Sequence, residues 1–305
     1  MTGENLERPS GPVRLERPAT GGAVGRLDDG RVVFVRHALP GELVRVDITE
    51  STSKFSRGDA VEVLEASPDR VVAPCRYAHP GGCGGCDLQH ASTAGQVSWK
   101  ASLVAEHLKR IAGVDVDINV VEPPNEPRGS RTRLRCAVDD DGRLGLRASR
   151  SHEVIALDEC WIADPSFTRA FATSWHGAEE VELRALGDGE PFAVVRRVNP
   201  RGTMHELCSL RGEPLEPSRQ SRVNVHGNVF SVGPRSFWQS HRDAPHMLLD
   251  AVLESAGAAA GDHVTDLFSG VGLFAVPLAK AVGPGGRVTA VESSPYAVRD
   301  ARQNA

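Results

Sequence analysis

Between residues 12 and 67, apolar and polar positions alternate in short β-branched runs: Gly30–Val35 (GRVVFV), Glu42–Ile48 (ELVRVDI) and Ala60–Ala66 (AVEVLEA). Successive side chains of a strand face opposite sides, so such runs read as half-buried strands. Turn residues separate them, at Asp28-Asp29-Gly30 and Leu39–Glu42. Short strands at this spacing predict a small barrel. The period then changes. Over Ser92–Val114, Val97, Val104, Leu108 and Ile111 recur at near-helical spacing, and Gly113 is a C-terminal cap, so this stretch predicts a helix. Val121–Pro127 (VEPPNEP) reads as a linker.

Arg131–Arg150 (RTRLRCAVDDDGRLGLRASR) alternates again around an Asp141-Gly142 hairpin signal. Extended, it places Arg131, Arg133 and Arg135 on one face and Leu134, Cys136 and Val138 on the other. Five more strand-like runs follow, at Val181–Leu186, Phe192–Val198, Glu206–Leu210, Arg222–Gly227 and Val229–Gly233. Phe237–Gly257 returns to a helical period, with Ala244, Met247, Leu248, Ala251 and Val252 on one side. The last stretch is α/β in pattern: strand His263–Phe268, glycine loop Ser269–Gly272, helix Leu273–Val282 and strand Arg287–Glu292.

At 305 residues, 40% of them apolar, the chain can bury two or three cores. It has no apolar run of the roughly 18 residues a membrane span needs. The polar start, MTGENLERPSGP, lacks a basic segment followed by an apolar one, so the expectation is a cytoplasmic protein, no membrane and a monomer. The net charge of −5 means that nucleic-acid binding requires a local basic patch. Arg128–Arg150 supplies one: seven arginines against three aspartates. That ladder, with Arg147 in the second arm, could track phosphates or be a solvated sheet face.

Cys75, Cys83 and Cys86 lie in CRYAHPGGCGGCDLQH, spaced C-x7-C-x2-C. Six cysteines in a chain of this kind suit metal chemistry better than a disulfide framework. A fourth ligand would come from Cys136, Cys160, Cys208, His79 or His90. Zinc accepts a mixed cysteine and histidine set. An iron–sulfur cube favours four thiolates, and the glycines leave room for it. The spacing leaves both open.

In VTDLFSGVGLFAV, Asp266 ends a strand and Gly270 and Gly272 follow at a strand-to-helix turn. Glycines let a backbone approach a nucleotide-like ligand closely. Glu292 ends the next strand, where an acid can bond ribose hydroxyls. Gly270-x-Gly272-x-x-Ala275 also satisfies a loose dinucleotide pattern, so an NAD site competes with an S-adenosylmethionine site.

These stretches in this order resemble the TRAM-domain RNA uracil-5-methyltransferases. GGAVGRLDDGRVVFVRHALPGELV resembles the TRAM barrel, and CRYAHPGGCGGCDLQH the family's iron–sulfur signature. LDEC, ending at Cys160, resembles the distant fourth ligand. SFWQ (Ser236–Gln239) resembles the F-x-Q segment, and DLFSGVGLF the cofactor loop. The resemblance implies a [4Fe–4S] cluster on Cys75, Cys83, Cys86 and Cys160. It implies S-adenosylmethionine among Gln239, Asp266, Gly270, Gly272 and Glu292. It implies ribosomal or transfer RNA gripped by the barrel and by Arg131, Arg133, Arg135 and Arg147.

The implied architecture is multidomain, α+β and α/β. It comprises an OB-like TRAM barrel (1–68), a central β-rich iron–sulfur domain (69–235) and an incomplete Rossmann-like methyltransferase domain (236–305). Family members place their nucleophilic cysteine and base glutamate after an Asp-Pro-Pro segment downstream of the cofactor motifs, so these are expected beyond Ala305. Cys136 and Cys208 sit in strand-like runs and read as small buried residues, not nucleophiles. The expectation is a C-terminally truncated uracil-5-methyltransferase, inactive as it stands. Two other readings compete: a non-catalytic RNA-binding module with a structural metal, and an NAD-linked iron–sulfur oxidoreductase.

Overall fold

A computed structural model describes residues 11–200 and 202–305. Residues 1–10 of the expected barrel domain, and Arg201, lie outside the described residues. The chain forms two compact units, residues 1–122 with 147–155, and residues 123–146 with 156–305. It therefore passes between them three times, and these units differ from the three segments the sequence suggested. Apolar contact is the reason. Leu88, Ala91, Trp99 and Leu103, from the cysteine segment and the helix after it, join the barrel core.

In the first unit β1 (Val13–Ala19), β2 (Gly22–Arg26), β3 (Val32–Arg36), β4 (Leu43–Ser51) and β5 (Phe55–Glu65) close a barrel in the order β1-β2-β3-β5-β4. The alternation seen in the sequence fills it: Leu15, Val33, Val35, Val44 and Val46 point inward and are buried. Glu42 is fully buried among them. Its carboxylate accepts from the amides of Leu39 (2.8 Å) and Ser67 (3.1 Å) and from Arg70 Nε (2.5 Å) and Nη2 (2.6 Å). Burial pushes this carboxyl up, but those four donors outweigh it and hold the pKa below its ordinary value.

Helix α1 (Thr93–His107) starts at Ser92, whose hydroxyl accepts from the Gly95 amide at 3.0 Å. It ends in a π turn, Leu108–Ala112, closed by Gly113 at φ +68°. The helix is as expected, but its apolar stripe is not its buried face. Only Trp99 is buried, whereas Val104 is 45% and Ile111 76% exposed. The buried line runs through Trp99 and Leu103, which meet the barrel core.

A six-stranded sheet has the order β11-β10-β9-β6-β7-β8. Its strands are β6 (Arg133–Val138), β7 (Leu144–Arg147), β8 (Val154–Ala156), β9 (Glu180–Arg184), β10 (Phe192–Asn199) and β11 (Gly202–Ser209). The short helix α2 (Thr168–Phe171) precedes β9. The predicted hairpin joins β6 and β7, with Gly142 at φ +77° and Asp139 accepting from the amides of Asp141 and Arg143. Its far end, residues 147–155, is counted with the first unit.

A small hairpin, β12 (Ser221–Val225) and β13 (Asn228–Val232), leads to α3 (Ala244–Ala256), β14 (His263–Leu267), α4 (Ala275–Val282), β15 (Arg287–Val291) and α5 (Pro295–Asn304). Strands β14 and β15 pair in parallel, as a helical crossover requires. Phe230, Val232, Trp238, Leu249, Val271 and Ala297 share one core, which joins the small hairpin to the α/β segment. The inward face of α3 carries Pro245 and Leu249, with Leu253 against the same core, so it is rotated from the expected stripe. Leu248 is 39% exposed. Among the described residues no helix is long and apolar enough to cross a membrane.

Candidate functional site

Strand β14 delivers Asp266 to the mouth of the glycine loop. Its carboxyl is raised above the ordinary range by burial, against the pull of a hydrogen bond from the Ala275 amide. Oδ2 of Asp266 and the hydroxyl of Ser269 are buried without a partner. The loop turns through Gly270 at φ +56° and Gly272 at φ +91°, where a side chain would be strained. Phe268 also has a positive φ of +62° and is 90% exposed. A bulky residue in this conformation stores strain, which concentrates at functional sites.

Glu292, just past β15, is tied to the same loop. Its carboxylate accepts from the amides of Gly270 (2.9 Å), Ser293 (2.8 Å) and Ser294 (2.8 Å). These bonds, the Ser294 amide first, hold it below its ordinary pKa. A carboxylate has about four acceptor positions, so Glu292 retains room for a ligand hydroxyl. Asp266, Gly270, Gly272 and Glu292 thus lie at the ends of the paired strands β14 and β15 and on the loop between β14 and α4. Gln239 is half-buried next to Trp238, whose indole lies in the core that also holds Val271 and Leu273 of the loop.

A second constellation centres on Glu182 of β9. It receives a two-point contact from Arg133, Nε to Oε1 at 2.8 Å and Nη2 to Oε2 at 3.0 Å. Arg184 Nε donates to Oε1 at 2.6 Å, and Arg135 Nη2 to Oε2 at 3.2 Å. Burial works against ionisation of Glu182, but the three arginines dominate and the pKa falls to about 2. Arg184 is 3% exposed and also donates to the carbonyls of Gly233 and Ser236, both at 3.1 Å. The guanidinium of Arg133 stands 5.3 Å from the ring centroid of Phe237, which is 58% exposed. Glu182 therefore positions Phe237 and the chain just before it.

Arg133 and Arg135 do share a face, but their charge is matched by Glu182 and, for Arg135, by Glu180 at 3.4 Å. Arg131 crosses the chain by backbone bridges to Ala163 and His241. Arg147 belongs to the first unit, where its carbonyl accepts from the Gly84 amide at 3.0 Å. Of the arginines on Glu182 only Arg184, two residues on, was visible locally; Arg133 and Arg135 lie 49 and 47 residues away along the chain.

Cys75, Cys83 and Cys86 belong to the first unit and Cys160 to the second. Burial pushes the Cys83 thiol up, and the neighbouring sulfurs of Cys86 and Cys75 push it further. The Gly85 amide donates to Cys83 Sγ at 3.3 Å. A β-carbon at Gly84 would stand 2.7 Å from the Ser149 amide nitrogen, so the loop path requires glycine there. Among the described residues no three His, Cys, Asp or Glu side chains converge as a ready metal cage. Cys136 and Cys208 are both buried, and burial, with Glu206 nearby, raises the Cys208 thiol.

Residues 13–61 match the TRAM domain family. The chain is 39% identical to an uncharacterized RNA methyltransferase of Streptomyces avermitilis, over 99% of this chain and 75% of that protein. It is 32% identical to the 23S rRNA (uracil(1939)-C(5))-methyltransferase RlmD of Shewanella amazonensis, over 90% and 68%. Its fold is similar to the crystal structure of the Pyrococcus abyssi tRNA (uracil-54, C5)-methyltransferase in complex with S-adenosyl-L-homocysteine. That similarity has a TM-score of 0.69 at 22% identity and covers 96% of this chain and 75% of the other.

Proposed function

The chain belongs to the TRAM-domain RNA uracil-C5 methyltransferases, and on that footing we propose that its glycine loop holds S-adenosylmethionine for transfer to C5 of a uridine in ribosomal or transfer RNA. The observation that carries this reading is the pair of acids on one loop. Glu292 is bonded to the Gly270 amide, and Asp266 keeps a buried oxygen free beside it. Bound there, the cofactor supplies an electrophilic methyl group on a sulfonium. The unpartnered oxygen of Asp266 suits an ammonium donor, and the remaining acceptor positions of Glu292 suit ribose hydroxyls.

The same geometry disfavours NAD. A dinucleotide sets its pyrophosphate on the first amides of the helix after the glycines. Here the Asp266 carboxylate takes the Ala275 amide at the start of α4. A carboxylate in that place repels phosphate.

Phe237, stacked on Arg133, offers its exposed face to a flipped pyrimidine, and Gln239, two residues on, is kept with the residues around the cofactor. The cysteine segment fits a metal group in part. Cys86 and Cys75 lie close enough to Cys83 to raise its thiol, an amide points at its sulfur, and glycine is required where bulk would intrude, although the three do not form a ready cage. These three would supply thiolates to a [4Fe–4S] cluster. Methyl transfer to uracil C5 requires a thiolate to add at C6. Cys136 and Cys208 are buried, which does not suit that role.

Calorimetry with S-adenosylmethionine tests the reading. A micromolar, one-to-one isotherm weakened at least tenfold by Asp266→Asn supports it. Preferential binding of NAD would refute it.

A further inference from the structure

Helix α5 begins three residues after Glu292, and one line of its face is buried. Ala297 and Asp300 are each 3% exposed, and Asn304 lies one turn further on. A buried carboxylate needs partners. Oδ2 of Asp300 accepts from the Gly233 amide at 2.7 Å and from the Ser236 hydroxyl at 2.5 Å, and Oδ1 accepts from Gln220 Nε2 at 3.4 Å. A β-carbon at Gly233 would stand 2.8 Å from Oδ2, so this approach requires glycine. Arg184 Nη1 donates to the carbonyls of the same two residues, Gly233 and Ser236. The turn Gly233–Ser236 is thus gripped by a buried acid of α5 and a buried arginine of β9. Arg235, within the turn, stacks on Tyr296 of α5, its guanidinium 4.9 Å from the ring centroid. The residue after the turn is Phe237, the exposed ring beside Arg133.

The ends of α5 hold the glycine loop. Asn304 Nδ2 donates to the Val271 carbonyl at 3.0 Å and to the Ser231 carbonyl at 3.1 Å, and its Oδ1 accepts from the Ser231 amide at 2.8 Å. At the other end Ser294 caps the helix and gives its own amide to Glu292 Oε1 at 2.8 Å, while Glu292 Oε2 accepts from the Gly270 amide at 2.9 Å. One helix of ten residues therefore fastens the glycine loop at both its ends and the turn that launches Phe237 at its middle. A ligand that fixes Gly270 and Val271 restrains both ends of α5. Less ordering is then left for a base on Phe237 to impose.

We propose that α5 couples two ligands through Asp300 and Asn304: S-adenosylmethionine in the glycine loop raises the affinity for RNA at Phe237, and RNA raises that for S-adenosylmethionine by the same factor. Asp300, too buried to touch either ligand, is a positioning residue. The proposal rests on the methyltransferase reading and adds to it a link between its two sites.

The test is fluorescence anisotropy with the full chain and a labelled single-stranded oligouridylate of about ten nucleotides. RNA affinity is measured with and without saturating S-adenosylhomocysteine, which has no methyl group to transfer. The parent should bind RNA about fivefold or more tightly with it, the lower end of ordinary coupling. Asp300→Ala should bring that ratio to within about twofold of unity, with S-adenosylhomocysteine affinity in the absence of RNA unchanged. Asp300→Asn, which keeps one oxygen for Gly233 and Ser236, should restore it. A merely structural Asp300 would lower the melting temperature of Asp300→Ala and leave the ratio intact, and that result would overturn the proposal. If Asp300→Ala does not fold, Ser236→Ala, which removes one of the two donors to Oδ2, decides by the same ratio. A parent that binds S-adenosylhomocysteine but shows equal RNA affinity in both conditions, or none in either, sinks the link alone. A parent that binds neither ligand sinks the methyltransferase reading as well.

Discussion

Replacing Glu182 by Gln tests whether one carboxylate organises the β9 constellation. The carboxyl is held at about 2 against an ordinary 4.5. At about 1.4 kcal/mol per pH unit, ionised Glu182 contributes on the order of 3 kcal/mol to stability. Because its folded pKa is depressed, that contribution is complete above about pH 5. It is lost as the pH falls toward 2. At pH 7 the variant leaves the Arg184 guanidinium, 3% exposed, without a counter-charge. Breaking such a buried pair costs about 3–5 kcal/mol. For a unit of this size the melting temperature should fall by about 6–20 °C, at 2–4 °C per kcal/mol. Thermal melts from pH 2 to 7, followed by circular dichroism, provide the assay. The parent should lose stability steeply between pH 5 and 2, and Glu182→Gln should show a flatter profile from a lower plateau. A variant that melts within 2 °C of the parent at pH 7, with the same acid slope, would refute the argument.

Two further outcomes follow from the loop and the cysteines. Glu292→Ala removes the acceptor of three backbone amides, so S-adenosylmethionine affinity should fall at least tenfold in calorimetry while the barrel's melting transition stays in place. An anaerobic preparation should be brown, with about four irons per chain, and Cys83→Ser should bleach it. A colourless preparation carrying stoichiometric zinc would reject the cluster.

The barrel was legible because its strands are short, alternate strictly and are separated by turn residues, so period and punctuation agree. The glycine loop was legible because strand, glycines and helix are contiguous. What the sequence hid was mostly long-range. Arg133 and Arg135 looked like a phosphate ladder until β9 brought Glu182 and Glu180 beside them. Helical stripes misled for another reason. Val104 and Ile111 have helical spacing, but a helix on a closed barrel buries one narrow line, and Trp99 and Leu103 hold it. The apolar count on α3 was right and its phase wrong, because Leu249 and Leu253 meet the core. Of the site residues, Ser269 and Phe268 were missed although adjacent to the motif. Burial without a partner and a positive φ leave no trace in composition.

The three passages of the chain between its units bear on how the protein emerges from the ribosome. Cys83 bridges to Ala148, and the Gly84 amide bonds to the Arg147 carbonyl. Synthesis at about 5–20 residues per second makes the cysteine loop wait several seconds for that partner segment. Meanwhile its thiols and unpaired amides stand open to water. The first unit cannot close in the order in which it is translated. It must wait until part of the second has been made.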